Sequence, residues 1–246
     1  MNRWFVLLAM GFVWLPLRPV LANEQISLQT RPGVTQSVLY KPAASAVRSA
    51  ILFTGGHGGA TGMGQNFLMR VADNLVAQGI SVAVPELPSD QRFGMSDAFR
   101  VGPDHAVDMA AVVGMLKQRA AVPVWLIGTS RGTLSAASVA ARLGPVQVSG
   151  LVLTSTVWPL VNQMVTLGQI GVPTLIVHNE LDGCRESPFS GAEPGLAALR
   201  GAPVKQLVVV QGGFSKSAAC EALSPHGYYG IEDQVVTPVV AWIKAH

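Results

Sequence analysis

The segment Trp125–Leu126–Ile127–Gly128–Thr129–Ser130–Arg131–Gly132 runs an apolar stretch straight into a G-x-S-x-G motif, and an Ala/Ser-rich stretch follows it. A strand that passes into a helix this abruptly needs a sharp, strained turn. Glycines at 128 and 132 leave room where side chains would collide with neighbouring backbone. Ser130 is then presented on the turn, at the positive end of the helix that begins there. The alternative is an ordinary strand–turn–helix in which Ser130 only caps the helix. The motif's place midway along the chain, on the fifth of a series of apolar runs, favours an exposed serine and a candidate nucleophile.

The rest of the chain repeats the same alternation. Short β-branched, apolar runs predict strands over Gln25–Thr30, Gln36–Tyr40, Ala50–Thr54, Ser81–Pro85, Val122–Ile127, Gly150–Ser155, Pro173–Val177 and Lys205–Val210. Several are apolar at nearly every position, as parallel strands covered on both faces are. Helices are expected over Gly64–Gln78, Pro103–Arg119, Ser130–Arg142, Leu160–Leu167, Pro194–Leu199 and Tyr228–Lys244. Strands alternating with helices imply βαβ units and a mostly parallel sheet. The first two strands lack an intervening helix and should form an antiparallel edge. Periodicity alone leaves several doubly wound sheets open.

The N-terminus reads differently. Met1–Asn2–Arg3 is a short basic start, Trp4–Leu17 is free of charge, and Val20–Leu21–Ala22 offers small or aliphatic residues before a cut at Asn23. That order is the anatomy of a secretory signal peptide. A membrane anchor is the competing reading, but the run is short of the ~20 residues a spanning helix needs. Residues 1–22 are therefore expected to be a signal peptide and 23–246 one domain, periplasmic or secreted, with no stable membrane association after cleavage. The full chain carries a net charge of +3, and its basic residues are scattered singly. Nucleic-acid binding has no support in that pattern. With only 13% charged and 49% hydrophobic residues, the chain suits a compact fold rather than disorder.

Five histidines allow elimination. His105 lies inside a predicted helix and His246 ends the chain. His226, in Ser224–Pro225–His226–Gly227–Tyr228, falls in a loop after the last strand and before the last helix, a position that resembles that of the base in the chain order of α/β-hydrolase triads. For an acid, the seventh strand ends in His178–Asn179–Glu180–Leu181–Asp182–Gly183. A carboxylate there can fix the tautomer of an imidazole. Asp182 is the candidate and Glu180 the competitor. His178 is expected to shape the loop.

After the third strand comes Gly55–Gly56–His57–Gly58–Gly59, a loop resembling the glycine-rich oxyanion loops of lipases and esterases. One of its N–H groups, from Gly56 or from His57, would pair with the N–H of Arg131. A dinucleotide fingerprint fails because position 61 is Thr61, and no Gly-Lys pair exists for a phosphate loop.

Together Gly55–Gly59, Gly128–Gly132, Asp182 and His226 resemble the α/β-hydrolase superfamily over essentially the whole mature chain. Within it the chain is similar to small, lidless bacterial esterases and dienelactone-hydrolase-like proteins. The resemblance implies an eight-stranded, mostly parallel sheet flanked by helices. It also implies hydrolysis of an ester, thioester or amide of a small molecule through an acyl-enzyme, without cofactor or metal. The chain departs from dienelactone hydrolase proper, whose nucleophile is Cys where this sequence has Ser130. Only about 17 residues separate the sixth and seventh predicted strands, too few for a cap domain. Peptidase or acyltransferase chemistry would use the same residues, and a non-catalytic binding protein on the same scaffold is the reading from another class. Met63, Met95, Phe99 and Trp158 are expected either around the site or in the core.

The two cysteines, Cys184 and Cys220, flank Asp182 and His226 in loops that must converge for the triad to form. Export to an oxidising compartment makes a disulfide between them the expected pairing.

Overall fold

The computed structural model describes residues 21–246, so the signal-peptide reading falls almost wholly outside the described residues. Eight strands form one sheet: β1 Glu24–Arg31, β2 Val34–Lys41, β3 Arg48–Phe53, β4 Ile80–Pro85, β5 Val124–Thr129, β6 Gly150–Thr154, β7 Thr174–Asn179 and β8 Lys205–Val210. Their spatial order is β1-β2-β4-β3-β5-β6-β7-β8. The β1–β2 and β2–β4 pairs are antiparallel and every other pair is parallel. Strand β5, which leads into the G-x-S-x-G motif, is central, because parallel strands joined by crossovers place early strands to one side and later ones to the other.

Burial follows the sequence pattern. Strands β4, β5, β6 and β7 are buried at every position, whereas β1 alternates between half-buried and exposed. Successive side chains of β5 enter opposite cores: Leu126 joins one apolar layer, while Trp125 and Ile127 join the other. Helices α1 (Phe67–Ala77) and α7 (Glu232–Ala245) cover the second layer. Helices α3 (Pro103–Arg119), α4 (Gly132–Gln147), α5 (Trp158–Met164) and α6 (Ala192–Ala198) cover the first. A five-residue helix, α2 (Asp97–Val101), precedes α3.

The departures from expectation have local causes. Strand β5 starts after Pro123, which lacks the N–H a ladder needs. Helix α4 runs past Arg142, broken at Gly144–Pro145, where Gly144 has φ +62°. Helix α7 starts at Glu232 rather than Tyr228, because Tyr228 and Gly230 both have positive φ, +55° and +86°. Helix α1 starts at Phe67 because the Asn66 side chain caps it, accepting from the Leu68 N–H at 3.0 Å. Between β6 and β7 lie only α5 and one short 3-10 turn, Leu167–Gln169, so no cap covers the carboxyl ends of the strands there.

Candidate active site

Ser130 stands between β5 and α4 with φ +52°, a left-handed conformation disfavoured for any residue with a Cβ. Its own N–H bonds the Thr154 carbonyl (3.1 Å), and its carbonyl accepts from the Thr133 N–H (2.9 Å) and hydroxyl (2.6 Å). The turn closes against the third strand: a Cβ on Gly132 would sit 2.0 Å from the Phe53 carbonyl oxygen, and one on Gly55 would sit 2.9 Å from the Ser130 Cβ. These glycines are required by space. The N-terminus of α4, the positive end of its dipole, begins two residues beyond the serine.

Strand β7 delivers Asp182. Asn179 ends the strand, and its side-chain oxygen accepts from the Leu181 N–H (3.0 Å) while its carbonyl accepts from the Asp182 N–H (3.0 Å). The Asn179 side-chain amide also donates to the carbonyls of Gly212 (2.9 Å) and Pro225 (3.0 Å), tying the loop of Asp182 to the loop of His226. The Asp182 carboxylate is fully buried. Its Oδ1 accepts from the Cys184 N–H (2.9 Å), and its Oδ2 accepts from the Ser187 hydroxyl (2.9 Å) and from His226 Nδ1 (2.8 Å). Burial pushes its pKa up, but hydrogen bonds from His178, His226 and Cys184 outweigh that and hold it at about 2. Glu180 is exposed and has no side-chain partner among the described residues.

His226 is 3% exposed and sits on a single 3-10 turn, Pro225–Gly227. The Ser155 hydroxyl donates to its carbonyl (2.6 Å), and Arg70 Nη2 donates to the carbonyl of Gly227 (2.6 Å). Because Nδ1 faces a carboxylate, the ring proton resides on Nδ1 in the neutral form, which leaves a lone pair on Nε2. Nε2 has no partner, and His226 lines the same cleft as Ser130. That cleft measures about 550 Å³ and is also walled by Gly56, His57, Met63, Phe67 and Glu221.

In the glycine loop, Gly56 has φ +56° and is exposed, as is His57. The Gly58 N–H donates to the Gly55 carbonyl (3.0 Å), and the Glu86 carboxylate accepts from the N–H groups of Ala60 (2.9 Å) and Thr61 (3.0 Å). Neither Gly56 N–H nor His57 N–H has a protein partner among the described residues, and neither has Arg131 N–H. Of the four apolar candidates, Met63 lines the cleft. Met95 packs beneath the loop against Gly58, Phe99 lies on His105, and Trp158 is buried against His178. Cys184 and Cys220 are joined by a disulfide, with Cα atoms 4.5 Å apart, and Cys220 lies in the cleft wall. No cluster of three or more metal-ligating side chains occurs among the described residues, and none of their helices is long and apolar enough to cross a membrane.

Sequence reasoning missed several supports. Ser187 reaches Asp182 from a loop that carries no pattern. Tyr228 OH donates to the Val177 carbonyl (2.8 Å) and accepts from the Ser155 N–H (2.8 Å), anchoring the loop of His226 to the sheet. A tyrosine two residues beyond a candidate base, at the mouth of a helix, was the one available signal.

The sequence matches no protein-family profile and no curated protein. Solved structures are similar over nearly the whole chain. A dienelactone hydrolase from Anabaena variabilis is 15% identical with a TM-score of 0.65, covering 91% of this chain and 98% of its own. An esterase from Pyrococcus furiosus is 14% identical with a TM-score of 0.68, covering 91% of each chain. A serine hydrolase homologue from Coxiella burnetii is 18% identical with a TM-score of 0.64, covering 91% of this chain and 98% of its own. At such identities the likeness speaks for architecture, and with the strand order above it shows that residues 21–246 adopt the α/β-hydrolase fold.

Proposed function

We propose that the protein is an exported serine hydrolase that cleaves a carboxylic ester, or a related thioester or amide, through an acyl-enzyme. The observation that carries this reading is His226. Its Nδ1 is bound 2.8 Å from the buried Asp182, its Nε2 is left without a partner, and the residue lines a cleft shared with Ser130. In the mechanism, Nε2 takes the Ser130 proton as the hydroxyl attacks the substrate carbonyl. Asp182 stabilises the imidazolium so formed. The tetrahedral oxyanion is held by the Arg131 N–H and by the Gly56 or His57 N–H, and water then releases the acyl group through the same base.

Water has a route to the acyl-enzyme, since no cap covers the cleft between β6 and β7. Solved neighbours named as esterases and a dienelactone hydrolase support an ester as substrate class. Export rests on residues 1–22 as a signal peptide, with the disulfide in keeping with an oxidising compartment. The deciding test is covalent labelling by a fluorophosphonate probe. Labelling of the wild type, abolished in Ser130→Ala, is expected; labelling that persists in the variant would overturn the reading.

A further inference from the structure

Arg100, on the short helix α2, is wholly buried, and no ion pair involves it among the described residues. Its neighbour Asp97 is bound instead by Arg131, Nε to Oδ1 at 3.0 Å. The His105 imidazole nearby adds no second positive charge, since burial and the charges of Arg100 and Arg31 keep it neutral with a pKa of about 3. Burying a guanidinium without a carboxylate is costly. Burial does lower the Arg100 pKa, to about 10, but the group stays cationic at neutral pH. A fold that retains such a charge needs a use for it.

The hydrogen bonds of Arg100 indicate that use. Nη2 donates to the Gly56 carbonyl (3.0 Å), and Nη1 donates to the Ser135 hydroxyl on α4 (3.1 Å). The first is the glycine loop and the second is the helix that follows Ser130. These are the two segments that supply the candidate oxyanion donors. One rigid, planar group therefore fixes their separation. The carbonyl of Gly56 and the N–H of His57 belong to one trans peptide and point opposite ways. A cation that holds the carbonyl from the buried side turns that N–H outward, on the side where His57 lines the cleft, and polarises it.

We propose that Arg100 is the positioning residue of the oxyanion hole, clamping the glycine loop to the nucleophile helix and setting its positive charge behind the site of the developing oxyanion. The proposal rests on the hydrolase reading above. It predicts a defect in the transition state rather than in ground-state binding. Arg100→Met, of similar length and without charge, should lower kcat on p-nitrophenyl acetate by about 100-fold, the scale of losing one oxyanion donor. KM should stay within about threefold of wild type.

The test measures kcat, KM and the inhibition constant of a trifluoromethyl ketone, which forms a tetrahedral adduct on the serine, with folding checked by circular dichroism. Ketone affinity should fall in step with kcat/KM, and Arg100→Lys should recover part of both. A folded Arg100→Met with kcat within threefold of wild type would overturn the proposal, as would a loss confined to KM with ketone affinity unchanged. If Arg100→Met does not fold, Arg100→Lys and Ser135→Ala carry the decision. Each should show a smaller kcat defect matched by weaker ketone binding, and normal values in both would overturn the idea. Failure of the hydrolase reading shows itself separately, as wild-type protein that a fluorophosphonate does not label at Ser130.

Discussion

The buried imidazole of His178 lies 3.5 Å, Nε2 to Oδ2, from the equally buried carboxylate of Asp182. The same Nε2 is 3.1 Å from the Ser187 carbonyl oxygen, which can only accept, so Nε2 carries the hydrogen and leans on both oxygens. Nδ1 is unpartnered, and the ring stacks within 19° of the plane of Trp158. His178 thus supports the Asp182 carboxylate through a longer contact than those of His226 and Ser187.

That cradle has a pH signature. The folded pKa of Asp182, about 2, lies below its ordinary 3.8. The ionised carboxylate therefore stabilises the fold above about pH 4, and that contribution is lost as pH falls toward 2. A difference of nearly two pKa units corresponds to about 2 kcal/mol. The stability gap between wild type and Asp182→Asn, measured by urea unfolding, should shrink by about this amount between pH 5 and pH 2. His178→Phe, which keeps a ring against Trp158 but removes the N–H, should shrink part of it. A gap that is flat with pH would refute the cradle.

Asp182 and Glu180 should separate cleanly in kinetics. Asp182→Asn retains the shape of the side chain but lets the imidazole take the wrong tautomer, so kcat should fall by about 10⁴-fold. Glu180→Gln changes an exposed side chain without a partner and should leave kcat within about twofold. The reverse ranking would move the acid to Glu180.

The elements were legible in the sequence because their periodicity is local. Strand β8 was expected over Lys205–Val210 and occupies Lys205–Val210, and α3 was expected over Pro103–Arg119 and occupies those residues. The triad candidates were legible because chain order and loop position restrict them. What escaped depends on contacts between distant segments. Arg100 reaches Gly56 across 44 positions, Arg70 reaches Gly227 across 157, and no local pattern encodes either. Helix α2 escaped because five residues are too few to show a helical period. Trp158 is buried against His178 and the half-buried Phe99 lies on His105, contacts that a loop position does not reveal.

Ser130 should trade stability for function. Its φ of +52° costs a residue with a Cβ about 1 kcal/mol relative to glycine. Ser130→Gly should therefore unfold at higher urea than Ser130→Ala, by about that energy, while both lose activity by several powers of ten. More than about a tenth of wild-type activity in Ser130→Ala would mean that another residue is the nucleophile.

Acyl-chain preference should favour short groups. The cleft is open, with Met63 and Phe67 its large apolar walls, and no cap lies between β6 and β7 to bury a long chain. Each methylene left in water forgoes about 0.8 kcal/mol of burial. Across p-nitrophenyl esters from acetate to palmitate, kcat/KM should peak at four carbons or fewer. A maximum at eight or more would indicate a chain-binding surface that the open cleft does not provide.

The disulfide should matter to catalysis as well as to stability. Cys184 lies two residues after Asp182 and gives its N–H to that carboxylate, while Cys220 forms part of the cleft wall on the way to His226. The bond spans 36 positions, and the chain-entropy model assigns a loop of that size about 4 kcal/mol. For a domain of this length that loss lowers the thermal midpoint by about 10 °C. Denatured, unreduced protein should therefore show no reactive thiol, and the Cys184→Ser, Cys220→Ser double variant should melt correspondingly earlier. Because the bond ties the acid loop to the wall that leads into the base loop, kcat should also fall by about tenfold well below the new midpoint, where the fold is intact. Two reactive thiols per chain in the unreduced protein would dismiss the bridge. A double variant that melts earlier yet keeps full kcat would leave it a stabilising bond with no part in holding Asp182 against His226.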